Sequence, residues 1–314
     1  MTKYNSMVKS LFLLPLPLQN LKCTMRTKLL LLPLLFVLLV SMTTDKPAYQ
    51  LFDVRGKKTT YEKMLKDALD CEVVLFGELH NNPISHWLEL QLAKDMFKAK
   101  KQNLILGAEM FEADNQNEID QYFSGVLSLD SFKVKARFWP NYETDYEPLL
   151  EFARNTNLKF IGTNIPRKYA GKVFKGGFEA LDGLTDEEKA WMAPLPIEYD
   201  PELDCYKKML EMEMGGGHTS PNLPKAQAMK DATMAYFIMQ NLGEGKTFLH
   251  FNGSYHSDYF EGIMWYLKRK DVYMKVLTIA TVEQSDLEKL SEDYILLADY
   301  IIVVPDDMTK TYKD

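Results

Sequence analysis

Five compact apolar runs, each halted by polar or glycine-bearing residues and separated by stretches of helical spacing, constrain this chain more than any other feature. They cover residues 72–76, stopped by Gly77; 103–110, running into Glu112, Asp114 and Asn115; 158–163, ending at Asn164-Ile165-Pro166-Arg167; 247–252; and 273–280. Short continuous apolar runs read as strands covered on both faces. Residues 59–70, 84–100, 145–156, 225–242 and 258–270 repeat their apolar positions at helical spacing, and 299–304 reads as an edge strand. This alternation predicts an α/β fold, a mostly parallel sheet flanked by helices on both faces. Between 178 and 222 the strands stop. Trp191-Met192-Ala193-Pro194-Leu195-Pro196 and Met214-Gly215-Gly216-Gly217-His218 punctuate short helical pieces. That stretch is expected to be a small helical insert in an α/β domain made of 45–177 and 223–314.

Residues 1–44 are expected to be a leader. From Met25 the chain reads Met-Arg-Thr-Lys and then runs apolar from Leu29 to Val40, a basic start and a short apolar segment of the secretory kind. A spanning helix needs roughly 20 apolar residues. Met25 is therefore read as the true start, and the protein as exported, periplasmic or membrane-associated. The rival is an uncleaved anchor built from this run and the earlier one at 11–18, which Pro15 and Pro17 interrupt. Cys23 precedes the apolar run, so a lipoprotein anchor has no support. Cys71 and Cys205 would remain after cleavage, and two buried thiols are the preferred reading over a pair. The net charge of −7, with both signs mixed along the chain, offers no basic face for nucleic acid.

In a sheet of this kind ligands bind outside the carboxyl ends of the strands. Those ends carry Glu78 and His80, Glu109, Asn164 and Arg167, then Asn252, Tyr255 and His256. Glu78 and His80 are two apart, so in an extended segment they share a face. Together they could bind one metal, or the carboxylate could orient the ring. Glu109 interrupts an apolar run and needs a partner, whether metal, arginine or protonated ring. His256 follows Gly253, which permits close backbone approach. Tyr255 and Tyr259 flank it; a phenol there either ligates ferric haem or packs. His250, inside its strand, reads as a hydrogen-bonded core residue. His86 stands further off as a wall of the site, and His218 reads as exposed. Arg167 either attracts an anion such as a haem propionate or forms a structural ion pair. Gln227, Lys230, Asp231 and Met234 share one helix face, which is either solvated or reaches under the site.

These segments resemble the ChaN-type haem-binding uptake family of the Tiki-like superfamily. The resemblance rests on Phe76-Gly77-Glu78-Leu79-His80, Gly107-Ala108-Glu109-Met110-Phe111-Glu112, Asn164-Ile165-Pro166-Arg167, Ala226-Gln227-Ala228-Met229-Lys230-Asp231-Ala232-Thr233-Met234-Ala235 and Asn252-Gly253-Ser254-Tyr255-His256, in that order. It implies a parallel-sheet domain with a small helical domain, export, and haem held between two subunits with tyrosine ligation of iron. His80, Tyr255, His256, Arg167 and Tyr259 are the expected haem-lining residues, with an outer-membrane haem receptor as an expected partner. The wider superfamily implies an alternative. Gly77-x-x-His80 and Gly253-x-x-His256 also resemble the pattern of Tiki-type metalloproteases and erythromycin-esterase-like hydrolases. There Glu78, His80, Glu109 and His256 would hold a divalent transition metal, and Glu78 would act as general base. A third reading makes these residues a structural ion-pair network only.

Haem is a flat plate, and a shallow strand-end site leaves one of its faces open. A homodimer, or the insert acting as a lid, is therefore expected. Trp191, Met192, Met209, Met212 and Met214 either supply the covering surface or form the insert's own core.

Overall fold

The computed structural model describes residues 46–213 and 220–312. The leader reading of 1–44, together with Met214 and His218, falls outside the described residues. Seven strands form one sheet: β1 (Gln50–Asp53), β2 (Val73–Glu78), β3 (Leu104–Glu112), β4 (Lys159–Asn164), β5 (Thr247–Gly253), β6 (Val276–Gln284) and β7 (Tyr300–Pro305). Their spatial order is β1-β7-β6-β2-β5-β3-β4. Every pairing is parallel except β1 with β7. The helices are α1 (Tyr61–Leu69), α2 (Pro83–Lys100), α3 (Gln116–Phe123), α4 (Leu129–Lys135), α5 (Glu147–Asn155) and α6 (Arg167–Gly176) in the first half of the chain. They are followed by α7 (Asp186–Lys189), α8 (Asp204–Glu213), α9 (Leu223–Asn241) and α10 (Ile263–Lys270). The expected mostly parallel α/β sheet is the observed architecture.

The strands differ from the sequence expectation at their ends and in the place of β7, expected at the edge but lying between β1 and β6. β2 continues through Gly77 and Glu78, because Gly77 pairs with Asn252 of β5 and Ala280 of β6. A side chain at Gly77 would meet the Ile279 carbonyl oxygen and the Ser254 Cα, each at 2.8 Å, so the close packing of three strands requires glycine there. β3 likewise runs on to Glu112, past a shift in its register with β4 between Ala108 and Glu112. β1 was not anticipated. Its four residues have little apolar pattern of their own, and it exists by pairing with β7.

One face of the sheet is covered by α1, α2 and α5 through a core that includes Met64, Leu88, Leu92, Leu150, Phe76, Leu106 and Phe251. The other face lies under α9 and α10, where Met234, Ile238, Ile263 and Leu267 meet Val73, Leu75 and Phe248. Burying both faces explains why the strands read as unbroken apolar runs. Residues 178–197 pack on α6 and α9 through a common core of Tyr169, Val173, Leu181, Met192, Ala226 and Met229. The helical layer thus begins at Arg167, ahead of the expected boundary at 178. Trp191 stacks on Tyr169, and Met192 is buried, so these two apolar residues serve that core. Cys71 and Cys205 are free thiols, Cys205 buried. Among the described residues no helix is long and apolar enough to cross a membrane.

Candidate functional site

Because β2, β5 and β3 are neighbours, their carboxyl ends gather the residues singled out from the sequence. Glu78 is in register with Gly253. On the other side of β5, Glu109 accepts a hydrogen bond from the Gly253 backbone N–H at 2.8 Å. A Cβ on Gly253 would sit 2.7 Å from His80 Nε2 and 3.5 Å from Glu109 Oε2. Gly253 therefore forms a bare floor between two carboxylate–imidazole pairs.

The first pair is Glu78–His80. His80 Nδ1 lies 2.6 Å from Glu78 Oε1, and the buried Tyr146 hydroxyl donates to the same oxygen at 2.8 Å. Asn141 Nδ2 donates to the His80 carbonyl at 2.8 Å, and Trp139 stands edge-on to the ring at 4.7 Å between centroids. Burial opposes a charge on His80, but Glu78 outweighs it and raises the ring's pKa.

The second pair is Glu109–His256. His256 Nε2 is 3.1 Å from Glu109 Oε1, and Nδ1 is 2.5 Å from Asp231 Oδ1. Tyr206 donates to the other Asp231 oxygen at 2.9 Å, while Gln227 Nε2 lies 2.9 Å from His256 Nδ1. Burial works against the imidazolium, yet the two carboxylates raise its pKa to about 9. Burial likewise works against the Glu109 anion, but His256 and then His80 hold its carboxyl far below the usual range. Exposure separates the pairs: the His80 side chain is 32% exposed and that of His256 only 6%.

The polar face of α9 is thus turned inward, with Gln227 and Asp231 buried against His256. Tyr255 is half-buried and its hydroxyl donates to the Cys205 carbonyl at 2.5 Å; burial pushes this phenol well up. Tyr259, 39% exposed, takes a left-handed backbone (φ 57°) and donates to the Asp293 carbonyl at 3.1 Å. Arg167 lies further along, at the end of β4. Its side chain is 77% exposed, with Nε 3.9 Å from Glu112 Oε1. It lines a cavity of about 410 Å³ together with Arg137, Phe138, Lys168 and Glu112. His250 is fully buried between Thr163 Oγ1 (2.7 Å) and Asn252 Oδ1 (3.0 Å), as a core histidine would be.

Glu78, His80, Glu109 and His256 therefore stand side by side as two pairs. Among the described residues, a group of three whose ligand atoms all lie within 4.8 Å of one another is formed by Glu78, His86 and Glu89 instead. Tyr146, Asn141, Trp139, Tyr206 and Glu89 had no place in the sequence reading. The first three come from the segment before α5 and Tyr206 from α8, both remote in sequence from the strands. Glu89 carried a usable signal, since it lies one helical turn after His86 on the same face.

Comparison with known proteins gives a consistent relationship. The chloroplastic protein Reticulata-related 5 of Arabidopsis thaliana is 24% identical over 204 residues, which cover 61% of this chain. The chain spans about a quarter (27%) of that relative's length. The solved structure of Campylobacter jejuni ChaN, described for its cofacial heme binding, superposes with a TM-score of 0.62 at 17% identity, covering 82% of this chain and 96% of that one. That likeness is one of fold. The family described as "Haem-binding uptake, Tiki superfamily, ChaN" matches residues 64–267, from within α1 to the last turn of α10 and so across both Glu–His pairs. On that match, this chain belongs to the ChaN haem-binding uptake family of the Tiki superfamily.

Proposed function

We propose that this protein binds haem over the carboxyl ends of β2, β5 and β3, with His80 as the side chain presented to the iron, in exported haem or iron uptake. The observation that carries this reading is the asymmetry of the two pairs. Of the two paired imidazoles, His80 combines partial exposure with a ring anchored at Nδ1, so Nε2 is the atom iron would take in exchange for its proton. A ligating imidazole is usually held in this way by a carboxylate on its other nitrogen. His256 has carboxylates on both nitrogens, so it supports the floor of the site rather than offering a ligand.

The remaining donors fit haem to different degrees. Tyrosine ligates ferric iron as phenolate, and the raised pKa and carbonyl partner of Tyr255 oppose that form. Tyr259 is exposed enough to line the plate, though its hydroxyl is also taken. Arg167 and the neighbouring Lys168 and Arg137 supply cationic groups for the propionates. Haem would contribute its iron and its broad apolar faces; Trp139 beside His80 is the aromatic surface nearest to that role. Family membership supports haem as the ligand. The basic and apolar segment from Met25 to Val40 supports export, and an outer-membrane haem receptor remains the expected partner.

Titration of the apo-protein with ferric haem tests the proposal. A saturable Soret shift at micromolar protein is expected, largely lost in His80→Ala and largely kept in Tyr255→Phe. No saturable shift, or one unchanged by His80→Ala in a folded protein, would overturn it. The divalent-metal hydrolase centred on Glu78, His80, Glu109 and His256 draws less support, because the four side chains are engaged as two separate pairs.

A further inference from the structure

We propose a second site: one divalent transition-metal ion held by Glu78, His86 and Glu89, wholly buried beneath the strand-end site. Glu78 comes from the end of β2, while His86 and Glu89 lie one turn apart on the face of α2 that packs against the sheet. All three are buried, Glu78 and Glu89 to 1% exposure and His86 to 6%. His86 Nδ1 lies 3.0 Å from Glu89 Oε2 and 3.5 Å from Glu78 Oε2. Ligands bonded at roughly 2.0–2.2 Å around one tetrahedral ion lie at comparable distances from one another.

The hydrogen bonding points the same way. His86 Nε2 is 3.2 Å from the His80 carbonyl oxygen, which can only accept, so Nε2 carries a hydrogen. Nδ1 faces Glu89 Oε2 and Glu78 Oε2, which also only accept, so a bound ion would take the place of the Nδ1 proton and meet the lone pair it leaves. A backbone carbonyl on the outer nitrogen is the usual support of a metal-bound histidine. Glu78 Oε2 and Glu89 Oε1 are buried and make no hydrogen bond. Two carboxylates in a dry interior require compensating charge. One divalent ion would neutralise both and use the open lone pairs. Imidazole with carboxylate oxygens is a donor set that suits zinc or cobalt. Three protein ligands leave one coordination position. Asp145 Oδ2, 3.5 Å from His86 Nε2, is the other charged group against this ring.

This inference is independent of haem, because it is tested without it. Chelator-treated full-length protein is titrated with Co²⁺ while visible d–d absorption and bound cobalt are followed. One Co²⁺ per chain is expected, lost in Glu89→Gln and His86→Gln and retained in Glu109→Gln. A folded wild type with no saturable uptake overturns the site. So does uptake that survives Glu89→Gln, or that Glu109→Gln abolishes. If the α2 variants do not fold, cobalt-edge X-ray absorption of the wild type decides the point: one imidazole among oxygen ligands supports the site, and two imidazoles overturn it.

Discussion

The three central histidines show how one residue type is given different jobs by its neighbours. His80 and His256 each face carboxylates, and both are held toward the charged form. His250 has only neutral partners, and burial pushes its pKa down to about 4. Its ring is neutral in the fold, while in the unfolded chain it charges near the usual 6.5. As pH falls below 6.5, protons bind the unfolded state first, and stability declines until about pH 4, where both states are charged. The loss is about 3 kcal/mol over that interval. His256 has the opposite sign: its stabilisation is complete below 6.5 and fades as pH rises toward 9. Urea unfolding at pH 7 and pH 4.5 should show a smaller acid-side loss in His250→Gln than in wild type. An identical loss in the two proteins would refute this account.

At the level of the element, two glycines at neighbouring strand ends make different demands. A methyl group on Gly77 would strike backbone atoms of two adjacent segments, which cannot move without opening the sheet. Gly77→Ala is expected to cost roughly 1–3 kcal/mol or more in thermal unfolding. A methyl group on Gly253 would strike the far end of His80, a partly exposed ring that can swing aside. Gly253→Ala should therefore stay close to wild-type stability but lose much of its haem affinity, since the Glu78–His80 geometry is broken. Equal effects of the two changes on stability would contradict this assignment. The strands were legible because each is a buried run with a sharp end, and the strand-end pairs were legible because charge directly after such a run is costly without a partner. The polar face of α9 was not. Spacing placed Gln227 and Asp231 together, but it could not tell that this row lies buried, on a helix covered by the sheet on one side and by part of 178–213 on another.

At the level of the whole molecule, the site lies at the carboxyl ends of interior strands and is open around His80. Trp191 and Met192 are committed to the core shared with α6 and α9, which removes them from any covering surface. On the proposed haem reading, a second copy is the expected cover for the open face of the plate. Haem is expected to shift the protein toward a dimer in sedimentation velocity at matched micromolar concentration. A haem-loaded species that stays monomeric throughout that range would refute the dimer and return the covering role to the 178–222 segment.

The sequence by itself determined the parallel α/β architecture, the charged residues gathered at the strand ends, and the family, since all three follow from local runs and short ordered motifs. The tertiary structure decided which residues meet. Strand order β2-β5-β3 set Glu78 and Glu109 on either side of Gly253, and α9 brought Asp231 to His256. It also drew His86 and Glu89 under Glu78, and tied the Tyr255 hydroxyl to Cys205. These contacts join residues far apart along the chain, or depend on which way a buried side chain turns. Periodicity records that a position is buried; only packing fixes what it is buried against.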